Sequence, residues 1–143
     1  MKARVRPAAD ASDAAACDVV CTVTAAAHDV IQGGWLRPGA HVNLVGTHSG
    51  TTREADTRLI QRSRVFVDSL ASALSEAGDI LITIKEGAID ATHVQGEIGA
   101  VILGEIAGRC SEDEITVYKS VGVVAQDLFA ANAVVHGKHP RRF

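Results

Sequence analysis

The sequence predicts an α/β fold in which helices cover a parallel β-sheet. Short aliphatic runs alternate with helical segments along the chain, which is the pattern of repeated strand–helix–strand units. Aromatic residues make up only 3% of the chain, so Ala, Val, Ile and Leu must build the core, as is typical of buried parallel strands. The 143 residues are enough for one domain with a sizeable core.

Four aliphatic runs are predicted strands, and a weaker segment is a candidate edge strand. The candidate edge strand covers residues 3–7, which alternate weakly and end at Pro7. Residues 18–24 form a continuous β-branched run, which is typical of a strand buried on both faces. The other strands are predicted at residues 40–46, 64–68 and 115–119.

Five segments have helical patterns, and a sixth is ambiguous. Residues 121–135 give the strongest pattern, with apolar side chains at helical spacing along one face. Ser69 can cap a helix that Gly78 ends. Residues 80–84 are aliphatic and fit either a strand or a helical turn. The predicted helices are residues 10–17, 55–63, 69–77, 96–107 and 121–135.

Charge and cysteine content narrow the class of protein. The net charge of −3 gives no reason to expect nucleic acid or a membrane as a partner. No apolar run approaches the roughly 18 residues that span a bilayer, and the N-terminus lacks the apolar core of a signal peptide. Three cysteines cannot all pair, which favours a reducing cytoplasm. Cys17 and Cys21 are expected to be small buried hydrophobic residues, and no metal site is predicted.

A ligand site is predicted at the loops that follow Thr24, Gly46 and Lys119, because parallel sheets bind ligands beside the carboxyl ends of their strands. The loop that would hold phosphates is missing. The thirteen glycines contain no G-x-G-x-x-G spacing after a strand and no Walker A pattern. The charged side chains of Glu54 and its neighbours are expected to cap and solvate the following helix, and Ser120 could simply cap another.

Six blocks of sequence, in a fixed order, carry a family resemblance. They read DVVCTVT, WLRPGAHVNLVGTH, READ, VFVDS, EAGDILI and DEITVYKSVG, at residues 18–24, 35–48, 53–56, 65–69, 76–82 and 113–122. Together they resemble the ornithine cyclodeaminase/mu-crystallin family over most of the chain. The second and last blocks are the most specific.

The resemblance implies a nicotinamide-dependent oxidoreductase. Family members combine a Rossmann domain that binds NAD or NADP with a separate dimerisation and substrate domain, and they act at the α-carbon of amino or imino acids. Residues 1–143 would then be a partial Rossmann domain, with the N-terminal domain absent and the glycine-loop strand–helix unit lacking. In the usual strand order, residues 3–7 and 18–24 would flank a gap at the centre of an incomplete sheet.

Cofactor-contacting residues follow from the same resemblance. Thr22 or Thr24 would lie beside the nicotinamide half of the cofactor, and Ser120 would touch it. The backbone of Val45, Gly46 and Thr47 would form the floor of the nicotinamide site.

Three further residues match positions near the substrate. His48 matches the position where cyclodeaminases carry a catalytic aspartate, and a histidine there could still donate a proton. Thr52 matches a lysine near the substrate, and Val121 would face the substrate. Without the aspartate, ornithine cyclisation is not expected, and a dehydrogenase or imine reductase fits better.

Three hypotheses for function remain open. The chain could be a truncated family member that is inactive alone, because the phosphate loop and the substrate clamp have no counterpart in it. It could be half of a split oxidoreductase, completed by a separate N-terminal chain or associating with itself through exposed sheet edges, with a small amino or imino acid as substrate. It could also be a non-catalytic binding remnant.

Overall fold

The computed structural model describes residues 4–137, which form five strands and six α-helices. The strands are β1 (Val19–Thr22), β2 (His41–Leu44), β3 (Arg64–Val67), β4 (Val94–Glu97) and β5 (Thr116–Lys119). The helices are α1 (Ala11–Ala15), α2 (Thr57–Arg62), α3 (Leu70–Glu76), α4 (Gly78–Lys85), α5 (Ile98–Ile102) and α6 (Val124–Val135). Short 3-10 turns lie at Gly33–Trp35 and Ala91–His93.

All five strands are parallel and lie in the order β1-β2-β5-β3-β4. The predicted α/β fold with a parallel sheet is therefore confirmed. Across four of the strands, the paired residues at the carboxyl ends are Thr22, Leu44, Lys119 and Val67. The loops that leave these strands consequently start side by side along one edge of the sheet.

The core is aliphatic, as the composition predicts. Val42, Val65 and Val117 of the central strands are fully buried, and so are Leu59 and Ile80 from the covering helices. Burying one such side chain contributes about 1.5–3 kcal/mol, so the central strands and these helices hold the domain together.

The edge strand predicted at residues 3–7 is wrong, because residues 4–7 form no strand. Ala3 lies outside the described residues. Arg6 instead forms a salt bridge with Asp13 at 3.3 Å. The expected gap in the centre of the sheet is consequently absent, because β1 itself is the edge strand and pairs with β2 alone.

The edge position of β1 overturns two further expectations. Residues 18–24 are not a strand buried on both faces: Val19 is 58% exposed and Cys21 is exposed, because no strand or helix covers that face among residues 4–137. Cys17 is exposed as well, so these two cysteines are not buried hydrophobic residues.

The helix predicted at residues 96–107 is confirmed only for Ile98–Ile102. Residues 94–97 are instead the parallel strand β4, and only α5 that follows is helical. Gly96 adopts φ +144, a conformation that L side chains rarely adopt and that is incompatible with a helix. The ambiguous residues 80–84 lie in α4, which begins at Gly78, where a helix end was predicted. An added Cβ at Gly78 would overlap the Thr52 and Ser49 carbonyl oxygens, so close packing explains this glycine.

Helix α6 has no buried residue. Val124, Leu128 and Val135, which share the predicted apolar face, are 70–81% exposed. Helix formation is thus confirmed, and within the described part of the chain the apolar face of α6 packs against nothing that buries it. None of the helices described is both long and apolar enough to cross a membrane.

Candidate functional site

The structure brings most of the predicted cofactor residues together at the carboxyl edge of the sheet. Thr22 ends β1, Thr24 follows it, Gly46 and Thr47 follow β2, and Ser120 follows β5. Backbone hydrogen bonds join the loops after β2 and β5 to the neighbouring strands. The Val45 N–H donates to the Thr22 carbonyl and the Ser120 N–H donates to the Leu44 carbonyl, both over 3.0 Å. Their backbones therefore lie along one rim.

A buried carboxylate, Glu54, links the first two loops. The side chain is fully buried, and each of its oxygens accepts two hydrogen bonds. The Thr24 N–H and hydroxyl donate to Oε1, both at 2.8 Å. The Thr22 hydroxyl and the Gly46 N–H donate to Oε2, at 2.9 and 2.8 Å. The Thr22 hydroxyl therefore donates its hydrogen bond to a buried acceptor inside the protein.

The expectation that Glu54 is solvated is therefore wrong, and its environment shifts its acidity. Burial acts to raise the pKa of this carboxyl, because a charge loses its hydration there. The hydrogen bonds from Thr24, Thr22 and Gly46 favour the charged form, outweigh burial and hold the pKa below its ordinary value. Glu54 is accordingly ionised at neutral pH. Its neighbour Asp56 does cap α2, as expected, by accepting from the Leu59 N–H at 2.8 Å.

A buried ion pair lies next to Glu54. Lys119, the last residue of β5, and Asp79, in the first turn of α4, are both fully buried, with Nζ and Oδ2 3.1 Å apart. The Thr47 hydroxyl donates to Asp79 at 3.1 Å, and Lys119 donates to the Thr47 carbonyl. Asp79 Oδ1 also accepts from the Glu54 N–H at 2.8 Å. One ion pair thus joins β5, the loop after β2 and the segment that carries Glu54.

A third carboxylate, Asp68, holds the loop after β5. Its Oδ2 accepts from the Ser120 hydroxyl at 2.8 Å, the Val121 N–H at 2.9 Å and the Gly122 N–H at 2.8 Å. Ser120 is therefore not a helix cap, since α6 starts only at Val124. Gly122 has φ +92, which this tight wrap around the carboxylate requires and which other residues rarely adopt.

Of the residues predicted near the substrate, His48 and Val121 directly follow the rim residues Thr47 and Ser120, and Thr52 lies two positions before Glu54. The His48 side chain is exposed on the loop directly after Thr47, and Thr52 and Val121 are half-buried. Val45, predicted to lie in the cofactor floor, has its side chain 43% exposed. Within residues 4–137, no three His, Cys, Asp or Glu side chains gather as a metal site.

Glu54 gives the stability a predictable dependence on pH. Because its pKa is lowered by folding, its contribution is complete above the ordinary value of 4.5 and is lost as the pH falls through the folded-state pKa. We expect the difference in unfolding free energy between the native chain and Glu54→Gln to be largest at neutral pH and to narrow in acid. Urea titrations from pH 7 to pH 3 measure it. A difference that widens in acid would contradict this account.

Comparison with known proteins fits this arrangement of strand ends. A sequence profile of the ornithine cyclodeaminase/mu-crystallin family matches residues 1–139. The chain belongs to this family. Its parallel sheet is the Rossmann-type sheet of the family's NAD-binding domains, with β1 at one edge.

Three relatives place the chain within the family. Δ1-pyrroline-2-carboxylate reductase of Colwellia psychrerythraea is 40% identical over 124 residues, which are 87% of this chain and 39% of that protein. Ketimine reductase mu-crystallin of Mus musculus is 38% identical over 82% of this chain and 34% of its own. Thermococcus litoralis Δ1-pyrroline-2-carboxylate reductase, solved with NADH and L-proline, superposes with a TM-score of 0.82 at 36% identity, over 91% of this chain and 42% of its own.

These relatives settle two points. The chain spans about two fifths of their length. The nicotinamide cofactor that the resemblance implies is confirmed for the family, since the Thermococcus litoralis relative was solved with NADH.

Sequence reasoning missed the four charged residues that organise this rim, although their positions carried a signal. Lys119 ends a largely buried strand, Asp68 directly follows another, and Asp79 lies in the first turn of an aliphatic helix. Charged residues in such apolar surroundings are rarely buried unless they are paired. They could have been predicted as paired, but not their partners.

Proposed function

We propose that these residues form the nicotinamide side of an NAD(P)-dependent imine reductase that acts on a small cyclic imino acid. The observation that carries the proposal is the rim on which the carboxylates of Glu54 and Asp68 hold Thr24, Gly46 and Ser120. The activities named for the relatives, reduction of Δ1-pyrroline-2-carboxylate and of ketimines, support the choice of substrate class.

The residues present fit one half of the cofactor and not the other. The backbone of Val45, Gly46 and Thr47 would form the floor under the nicotinamide, with Thr24 and Ser120 at its sides. When bound, the cofactor supplies the hydride. No glycine-rich loop in the sequence could bring backbone N–H groups to the pyrophosphate. The chain alone is therefore expected to bind NADH weakly and to have no turnover.

His48, Thr52 and Val121 would serve the imino acid. The exposed imidazole of His48 would act as the proton donor to an imine nitrogen. Thr52 and Val121 would line the substrate. A reductase is favoured over a cyclodeaminase because His48 stands where cyclodeaminases carry an aspartate.

A titration with two cofactors tests this assignment. We expect NADH and reduced nicotinamide mononucleotide to bind the 143-residue chain equally weakly, with dissociation constants of about 1 mM, because the sequence has no glycine-rich loop for the pyrophosphate of NADH. Either ligand should shift the amide NMR signals of Thr24, Gly46 and Ser120. NADH binding more than about a hundredfold tighter than the mononucleotide would show that the chain holds the pyrophosphate itself and would contradict the proposal.

The open edge of β1 favours completion by a second polypeptide. The exposed side chains of Val19, Cys21 and Val23 lie on or beside this edge strand, which pairs only with β2 within residues 4–137. A further strand would pair with its open edge, and the helix that connects such a strand would cover these side chains. Mixing the chain with the part of the Colwellia psychrerythraea relative that it does not match tests this. We expect oxidation of NADH by Δ1-pyrroline-2-carboxylate in the mixture and in neither part alone. A mixture that stays unassociated and inactive would rule out this form of completion.

The exposed thiols support a cytoplasmic location. Cys17, Cys21 and Cys110 are all free and exposed, and such thiols persist in reducing compartments.

A further inference from the structure

One carboxylate receives backbone N–H groups from the ends of two neighbouring strands. Thr24 follows β1, Gly46 follows β2, and both donate to Glu54 over 2.8 Å. The Thr22 and Thr24 hydroxyls complete the set, so each carboxylate oxygen accepts one backbone and one side-chain donor. Glu54 thus spans the space between two loops that β-sheet pairing no longer holds.

We propose that Glu54 is a positioning residue, which fixes the separation of Thr24 and Gly46 so that their backbones can flank a nicotinamide ring. The ligand in this statement rests on the proposed function, whereas the link between the two loops rests on the contacts alone. Glu54 does not contact the reacting atoms, since its side chain is fully buried behind the rim.

Glu54 can fix this separation because its own backbone is fixed. The Glu54 N–H donates to Asp79 at 2.8 Å, and its carbonyl accepts from the N–H groups of Val30 and Ile31 at 2.8 and 3.0 Å. On the opposite side, an added Cβ at Gly46 would overlap the Glu54 carboxylate and the Thr24 backbone. Glu54 and the two loops are therefore closely packed, with no space for an added methyl group at Gly46.

The chemistry of the four donors requires a carboxylate and not an amide. A glutamine in the same place has one oxygen that accepts and one NH2 group that only donates. One orientation would place the NH2 group against the Thr24 N–H, and the flipped orientation would place it against the Gly46 N–H. Either way one buried backbone donor loses its acceptor, and a hydrogen bond to a charged group is replaced by a weaker one.

Amide hydrogen exchange on the full chain tests the inference, with Glu54→Gln compared against the matched change Glu86→Gln. Glu86 is a partly exposed carboxylate that directly follows α4 and is bonded to Arg53 and Thr57. We expect exchange at Thr24 and Gly46 to accelerate about tenfold or more in Glu54→Gln, as expected for a lost charge-assisted hydrogen bond, and to stay unchanged in Glu86→Gln. Reduced nicotinamide mononucleotide should shift both amide signals in the native chain and in Glu86→Gln, but not in Glu54→Gln.

Three results would overturn the inference. Unchanged protection in Glu54→Gln would show that the carboxylate does not hold the loops. Lost protection with retained mononucleotide shifts would reduce Glu54 to a structural role. If the mononucleotide shifts neither amide signal in the native chain, the proposed function is refuted, and the positioning role with it. The exchange rates would still show whether Glu54 links the two loops.

A measurement on the native chain covers the case in which Glu54→Gln fails to fold. In an acid titration followed by NMR, the Thr24 and Gly46 amide signals should move with the Glu54 side-chain carboxyl carbon and share its midpoint. Amide signals that move independently of this carbon would overturn the inference.

Discussion

Replacing Lys119 with methionine is expected to destabilise the protein by about 3–5 kcal/mol, because removing one partner of a buried ion pair leaves the other charge uncompensated. Methionine is similar in length, so the loss is electrostatic and not a cavity effect. Asp79 would remain fully buried, with the Thr47 hydroxyl and two backbone N–H groups as its remaining donors. Urea unfolding followed by circular dichroism measures the change.

The double variant Asp79→Asn with Lys119→Met is the control. Asparagine keeps an oxygen for the Glu54 and Ala55 N–H groups and removes the orphaned charge. We expect it to recover much of the stability lost in Lys119→Met, since neutral replacement of buried pairs is often tolerated. A loss below about 1 kcal/mol in Lys119→Met would match an exposed pair and contradict the burial described here.

Replacing Gly46 with alanine is the second large effect, and we expect a loss of about 3 kcal/mol, near the upper end for overpacking in a rigid site. The added Cβ would overlap the backbone N and O of Thr24 and the carboxylate of Glu54. The loops after β1 and β2 would have to separate, and the Gly46 N–H would move away from its acceptor. Thermal and urea unfolding both report the change.

The matched control is Gly99→Ala. Gly99 lies in α5, and a Cβ added there would have no atom within 4 Å. Alanine favours a helix interior by up to about 1 kcal/mol over glycine, so this variant should be unchanged or slightly stabilised. Equal effects of the two substitutions would show that close approach at Gly46 is not what requires a glycine.

The strands that could be predicted from the sequence are those in which a local run of apolar residues indicates burial. Residues 40–46, 64–68 and 115–119 are short aliphatic runs, and each contains a central strand with at least one fully buried valine. β4 was missed because Val94 is its only buried residue. Its structure depends on pairing with β3, which a local pattern does not contain.

The clustering of these loops at one edge of the sheet was predictable, whereas the contacts that organise them were not. The ends of β1, β2 and β5 are visible in the sequence, and parallel sheets place such ends together. The residues that fix those ends bond over long separations: Glu54 to Thr22 over 32 positions, Asp79 to Glu54 over 25 and Asp68 to Ser120 over 52. A carboxylate in a loop looks solvated until the fold brings its donors to it.

The exposed helix α6 determines what an unfolding experiment on this chain reports. A helix of 12 residues is marginal in water without tertiary packing, and no residue of α6 is buried. It should therefore melt as a separate local unit, at lower temperature than the sheet, and open to proteases first. The cooperative transition then reports only on the part of the chain that ends near Gly122. The helical signal lost before that transition measures the fraction of molecules in which α6 lacks tertiary packing.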